Sequence, residues 1–327
     1  MGIKFLNRVL REKCTSKSIY KQHLSNFTGK RMVIDTSIYL YQFLSDDTLM
    51  ENMYLFISIL QKYKIEPIFI FDGKTPIDKK QLVKERSQNK KEAEDKYNKL
   101  LELKNKKGNE DEINIDTQLK HLKQQFTRVS KEDIRKVKEL MDAYGVIYYD
   151  APYEADDLCV YFVKSGIAYG CISDDMDMLL YGCPFVLRNL SLINHSVLFY
   201  DMDKILKELD IPFNHFQEIL VLSGTDYNIT RDTDLIQTLR WYNEYLIYVN
   251  KNKNNKKKHY GFYLWLIKNT KYITDLTQLM NTYQLFNNKE KSCIRSEFNK
   301  QPNNKDMLKI KNIMKKEGFV FCEPLLD

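Results

Sequence analysis

Carboxylates recur along the chain, each just beyond a short apolar run, and the densest group is Asp174, Asp175 and Asp177 in ISDDMDML, after AYGCI. The others are Asp35 in RMVIDTS, Asp72 in PIFIFDG, Glu154 and Asp156 in APYEADD, and Asp226 in LSGTDYN. Ionised carboxylates crowded by folding repel one another, so such a cluster is stable only when protonated, paired with bases or holding a divalent cation. Hard oxygen donors suit Mg²⁺ or Mn²⁺, and a pair of such ions is the usual machinery for displacement at phosphorus. Singly, each acid reads as a turn or N-cap carboxylate after a strand. The ordered set points to chemistry.

Those acids need a scaffold that brings them to one edge. Short β-branched and aromatic runs at 31–35, 66–71, 146–149 and 168–172 alternate with helical patterns, the signature of βαβ units and a mainly parallel sheet in an α/β fold. In open α/β sheets ligands bind beyond the C-terminal strand ends, where Asp35, Asp72 and 174–177 fall. Glu154 and Asp156 are expected on the first turn of a helix after Pro152. From Lys79 to Gln125 the chain is highly charged with few large apolar residues. It is expected outside any packed core, as solvated helices interrupted near Gly108 or as an exposed insertion. The basic run NKNKNNKKKH at 250–259 reads first as linker, with a phosphate contact or localisation signal as alternatives, and the tail at 260–327 holds no repeat or motif.

A chain of 327 residues, 43% hydrophobic, fits one α/β domain with appended helices. The six cysteines form no C-x-x-C pair and have no histidine at zinc spacing. Neither a zinc site nor a disulfide scaffold is indicated, and a reducing, intracellular compartment fits best. No apolar stretch reaches membrane-spanning length, and MGIKFLNRVL lacks the features of a signal peptide. Net charge is +7, with 51 basic against 44 acidic residues, which favours a polyanionic partner, nucleic acid above all. Lys- and Asn-rich chains also arise from AT-rich coding sequence, so charge alone does not decide.

In these blocks the chain resembles the flap endonuclease (XPG-type) family of structure-specific 5′ nuclease proteins over residues 1–228. The match runs through MGIKFLNRVL, VIDTSIYLYQFL, FIFDGKTPIDKK with the charged ERSQNKKEAE after it, APYEADDLCVYFVKSGIAYGCISDDMDMLLYG, and LVLSGTDY. The resemblance implies a PIN-like α/β domain, with 79–125 as a helical arch and 229–327 as a divergent helical duplex-binding region and tail. It implies two Mg²⁺ ions, replaceable by Mn²⁺: Asp35, Asp72, Glu154 and Asp156 around one, and Asp175, Asp177 and Asp226 around the other. Asp156 stands where the family usually has Glu, and neighbouring Asp157 is an alternative ligand.

The resemblance further implies that Lys79 and Arg86 are the basic pair at the arch. Seven residues is two helical turns, which puts both on one face toward one scissile phosphate. Tyr41 matches a stacking platform for the base beside the cut, with Tyr39 and Phe43 as core neighbours. Gly2 matches the segment that runs close to the site. The chain departs from the family after Asp226: no glycine occurs from Tyr227 to Tyr260, which puts a K⁺-binding helix-two-turn-helix in doubt and leaves Arg231, Arg240, Lys256, Lys257 and Lys258 as duplex contacts. GFVFCEPLLD lacks a sliding-clamp peptide. The expectation is a monomeric, two-metal flap endonuclease on branched DNA with a 5′ flap or 5′ end, acting in the nucleus or at a viral replication site. A 5′→3′ exonuclease or ribonuclease, and a scaffold that binds branched DNA without cutting, are the alternatives.

Overall fold

A computed structural model describes residues 3–76, 79–106, 112–227, 233–252, 261–288, 298 and 300–321. Gly2, Gly108, Arg231, Lys256, Lys257 and Lys258 lie outside these residues. In chain order the described elements are α1 (Leu6–Lys13), β1 (Ile19–His23), β2 (Arg31–Asp35), α2 (Thr36–Ser45), α3 (Leu49–Lys62), β3 (Glu66–Phe71), α4 (Lys80–Lys106), α5 (Glu112–Phe126), α6 (Lys131–Tyr144) and β4 (Ile147–Asp150). Then follow α7 (Ala155–Lys164), β5 (Gly170–Ile172), α8 (Asp177–Leu180), β6 (Phe185–Ser191), β7 (Ser196–Asp201), α9 (Met202–Leu209), α10 (Phe213–Leu222), α11 (Leu235–Lys251), α12 (Phe262–Asn269), α13 (Leu276–Asn288) and α14 (Met307–Lys316).

Two compact units interleave in sequence, one made of Leu24–Ala155, Leu192–His195 and Ser296–Asp327, the other of Met1–His23, Asp156–Ser191 and Ser196–Arg295. In the first, β2, β3 and β4 run parallel, with Val33 opposite Ile68 and Ile70 opposite Tyr149. Helices cover this sheet, so β2 and β3 are continuous apolar runs rather than alternating ones, with Met32, Val33, Ile34 and Ile68–Phe71 all buried. Tyr39 of α2, Phe56 of α3 and Phe69 of β3 form one aromatic seam, with centroids 5.0 Å and 5.8 Å apart. Helix α6 starts on a capping box between Ser130 and Asp133 and stops at Gly145, whose left-handed backbone (φ 69°) favours glycine. A Cβ there would also meet the Asn303 carbonyl oxygen at 2.0 Å. Past residue 300 the chain lies along this edge: Asn303 N–H donates to Gly145 O at 3.0 Å and Lys136 pairs with Glu317 at 2.8 Å.

The charged stretch is helical, as expected, but it keeps a seam of its own. Helix α4 packs against α5, Tyr97 meets Phe126 with centroids at 5.2 Å, and Ala93 and Leu119 are buried. One small residue and one large residue suffice because the two helices bury a stripe only against each other and α2. Lys120 and Lys123 hold α5 to Asp46 and Asp47 after α2.

In the second unit the strand order is β1, β7, β6, β5, with β5–β6 parallel and β6–β7 and β1–β7 antiparallel. Most of the strand pairings in the two units are thus parallel, as expected. The expected strands at 146–149 and 168–172 are shifted or shortened to Ile147–Asp150 and Gly170–Ile172. Strands β1, β6 and β7 were not anticipated. Helices α10 to α13 pack on aromatic rings: Tyr242 against Phe262 (5.3 Å) and Tyr245 against Trp265 (5.8 Å). Among the described residues no helix is long and apolar enough to cross a membrane.

Candidate active site

Parallel pairing sets the first half of the site. Asp35 ends β2 opposite Ile70, and Asp72 follows the last residue of β3, so both stand at the C-terminal edge. Asp35 is 4% exposed, and its side chain does not cap α2 although it occupies the N-cap position. Asp72 accepts the Ala155 N–H at 2.8 Å, an anion at the start of α7 where the helix dipole favours it. The segment after Asp72 is laced to the one before α7: Gly73 N–H donates to Tyr153 O at 2.6 Å and Lys74 N–H to Pro152 O at 3.2 Å. A Cβ on Gly73 would lie 1.9 Å from the Ala151 carbonyl oxygen, so only glycine permits this approach.

Glu154 sits just before α7 rather than on its first turn, because the helix begins at Ala155. Lys79 donates to Glu154 Oε1 at 2.6 Å, with side-chain exposures of 8% and 18%. Arg86, on α4, is exposed. The expected basic pair therefore divides: Lys79 precedes the helix and is buried against a carboxylate, while Arg86 is exposed on α4. Tyr41 is 42% exposed on α2, and Tyr39 and Phe43 on the same helix are buried core. Lys90 Nζ stands over the Tyr41 ring, 5.0 Å from its centroid, and donates to Thr127 O at 3.0 Å. Burial, then the Asp72 carboxylate, pushes the Tyr41 phenol pKa up, and Arg86 opposes the shift. Burial, then Arg128 and Arg86, pulls the Lys90 ammonium down. Asp72 and Arg86 thus lie within electrostatic reach of Tyr41, and Arg86 and Arg128 within that of Lys90. Lys90 was missed in sequence, although it follows Arg86 by one helical turn.

In the other unit Asp156 and Asp157 occupy the first turn of α7, both half-buried. The loop after β5 is tightly bonded: Asp175 N–H donates to Ser173 Oγ at 3.1 Å and Asp177 N–H to Asp175 Oδ1 at 3.0 Å. Asp177 is 6% exposed at the start of α8. Asp174 serves the turn itself, accepting the Asn189 N–H at 2.6 Å. Asp226 lies just past α10, half-buried, and α10 is tied to α8 by Gln217 donating to Leu180 O at 3.0 Å. Arg240 is exposed on α11. Among the described residues no three His, Cys, Asp or Glu side chains converge closely enough to hold an ion as they lie. The donor type nevertheless fits: a set made only of carboxylates matches a hard divalent cation.

Two family models match the chain, the XPG N-terminal domain over residues 1–93 and the XPG I-region over 145–226. Flap endonuclease 1 of Vanderwaltozyma polyspora is 30% identical over 251 residues, 69% of this chain and 62% of the relative. That of Drosophila mojavensis is 32% identical over 246 residues, 69% and 60% of the two chains. The chain thus spans about three-fifths of the length of these curated relatives. In three dimensions it resembles the catalytic core of Rad2 in complex with DNA substrate, with a TM-score of 0.65 and 22% identity over 97% of this chain and 95% of that one.

Proposed function

Since the chain belongs to the XPG-type flap endonuclease family, we propose that it is a structure-specific 5′ nuclease that hydrolyses DNA phosphodiester bonds at a 5′ flap or 5′ end during replication, repair or recombination. The observation that carries this reading is the group at the C-terminal ends of β2 and β3, where the Lys79–Glu154 pair, Asp35 and Asp72 stand with Tyr41 and Arg86. Asp35, Asp72, Glu154 and Asp156 would hold one Mg²⁺, with Asp157 the alternative to Asp156, and Asp175, Asp177 and Asp226 the other. Mn²⁺ can substitute. Ions held by these acids would supply activation of water and neutralisation of charge at the phosphate, the usual contribution of a divalent pair.

Arg86 meets the scissile phosphate and offsets charge that develops on it. Lys79 restrains Glu154 and adds a second cation. Tyr41 offers its exposed face to the base beside the cut, a contact tolerant of sequence. The α4–α5 pair serves as the arch for the 5′ strand. Arg240 and, outside the described residues, Gly2, Arg231, Lys256, Lys257 and Lys258 contact DNA. Residues 1–228 form the nuclease part and 229–327 the duplex-binding part, in a monomer at the nucleus or a viral replication site.

The test is one assay with labelled 5′-flap, nicked, blunt and RNA-primed substrates in Mg²⁺, Ca²⁺ and EDTA, with Asp177→Ala as control. Mg²⁺-dependent flap cleavage lost in Asp177→Ala is expected. Cleavage of blunt or RNA ends without flap preference would assign an exonuclease or ribonuclease instead, and binding without any cleavage a scaffold.

A further inference from the structure

Arg188 is an arginine in the middle of β6, preceded by buried Val186 and Leu187, and only 8% exposed. Arginine is almost never this buried unless paired. Among the described residues no carboxylate lies within ion-pair distance of it. Its Nη2 donates to the backbone carbonyl of Asp174 at 2.8 Å, its Nη1 reaches Tyr200 Oη at 3.5 Å, and its guanidinium lies over the Tyr200 ring, 5.5 Å from the centroid. Tyr200 Oη in turn donates to Asn7 Oδ1 of α1 at 2.7 Å. The next residue, Asn189, has a left-handed backbone (φ 51°) and stands in a register shift of the β6–β7 pair between Arg188 and Ser191. From there its N–H reaches Asp174 Oδ1 at 2.6 Å.

Bulges of this kind bend a strand and re-aim its groups, and they recur beside active sites. Here the Arg188 side chain and, one residue into the bulge, the Asn189 N–H are consecutive donors that meet on a single residue of the loop that carries Asp175 and Asp177. Stability alone would be served as well by an apolar residue at position 188, since a buried charge without a carboxylate is costly. We infer that Arg188, with the bulged Asn189, is a positioning element for a divalent-ion site: it grips Asp174 and thereby holds Asp175 and Asp177 in the conformation that binds the ion. Arg188 acts through Asp174 and touches neither ion nor DNA. This inference rests on the proposed metal-binding role of Asp175 and Asp177, and not on which DNA is cut.

The test uses Arg188→Lys, which keeps the charge but loses the planar fork, and Arg188→Met, which keeps the bulk without charge. Mn²⁺ binding is followed by electron paramagnetic resonance of the free ion, with Asp177→Ala marking the site. Both Arg188 variants should weaken Mn²⁺ binding on the order of ten-fold, as loss of outer-shell support typically does, and raise the Mg²⁺ concentration for half-maximal cleavage in proportion. Cleavage at saturating Mg²⁺ should recover to near the wild-type rate. Urea midpoints in EDTA check that each variant folds, and Arg188→Lys carries the test if Arg188→Met does not. Unchanged Mn²⁺ affinity in a folded variant would overturn the inference. So would tighter binding in Arg188→Met alone, which would make Arg188 only a charge opposing the ion, and so would a wild type that binds no Mn²⁺ sensitive to Asp177. A protein that binds Mn²⁺ as expected yet cuts no substrate would remove the nuclease reading and leave this one standing.

Discussion

Lys79 and Arg86 look interchangeable in sequence and stand in different chemistry in the fold. Lys79 is buried against Glu154 at 2.6 Å, and removing one partner of a buried pair leaves a charge uncompensated, typically at a cost of about 3–5 kcal/mol. Lys79→Ala should therefore lower the urea midpoint in EDTA, and Mg²⁺ should narrow that gap if Glu154 is a ligand, because the cation replaces the lost ammonium. Arg86 is exposed, so Arg86→Ala should change stability much less than Lys79→Ala, with or without Mg²⁺. Its effect belongs in single-turnover cleavage, a fall on the order of 10²–10³-fold with little change in DNA affinity if it stabilises the transition state. Equal losses in affinity and rate would mark Arg86 as an ordinary phosphate contact. A stability deficit in Lys79→Ala that ignores Mg²⁺ would remove Glu154 from the ligand set.

Helix α10 carries a buried acid outside the proposed chemistry. Among the described residues Glu218 Oε2 has no hydrogen-bond partner, and burial pushes the carboxyl pKa up from 4.5 to about 7, beside Tyr242, Tyr245 and Tyr263. The folded pKa lies above the unfolded one, so the neutral acid's stability contribution is full below about pH 4.5 and is lost as pH rises through about 7. Glu218→Gln stays neutral throughout. It should match wild type in urea unfolding near pH 4.5 and exceed it at pH 8 by up to about 3 kcal/mol. A difference that does not change with pH would refute the raised pKa. Nothing in EILVLSG marks Glu218 as buried, and this shows where the sequence stops being informative. Strands β2 and β3 were legible because sheets covered on both faces make unbroken apolar runs, each stopped by an acid. Strand β1 was not, because IYKQH alternates no apolar face, and β6 was obscured by Arg188. The strand-end positions of Asp35 and Asp72 were legible, because each acid closes an apolar run. Lys90 and Arg188 were not, since their roles come from Tyr41 and Asp174, partners distant in the chain.

At the scale of the whole molecule, 51 basic against 44 acidic residues leave a net charge of +7, which draws a polyanion such as nucleic acid. Each basic group placed on a phosphate releases about 0.9 counterion on B-DNA, so duplex affinity should fall steeply as salt rises. Identity of the cation should matter little. A carbonyl cage for K⁺ needs tight turns that favour glycine, and none occurs between Tyr227 and Tyr260. Exchanging K⁺ for Na⁺ at equal ionic strength should leave duplex binding unchanged, measured by fluorescence anisotropy. Neutralising Lys256, Lys257 and Lys258 together should lower the salt slope by up to about three units while leaving the ranking of flap, nicked and blunt substrates as it was. A slope that does not move would return the 250–259 run to the role of a linker. A clear K⁺ preference would place a cation site in the glycine-free segment and make its turns, rather than its lysines, the grip on the duplex.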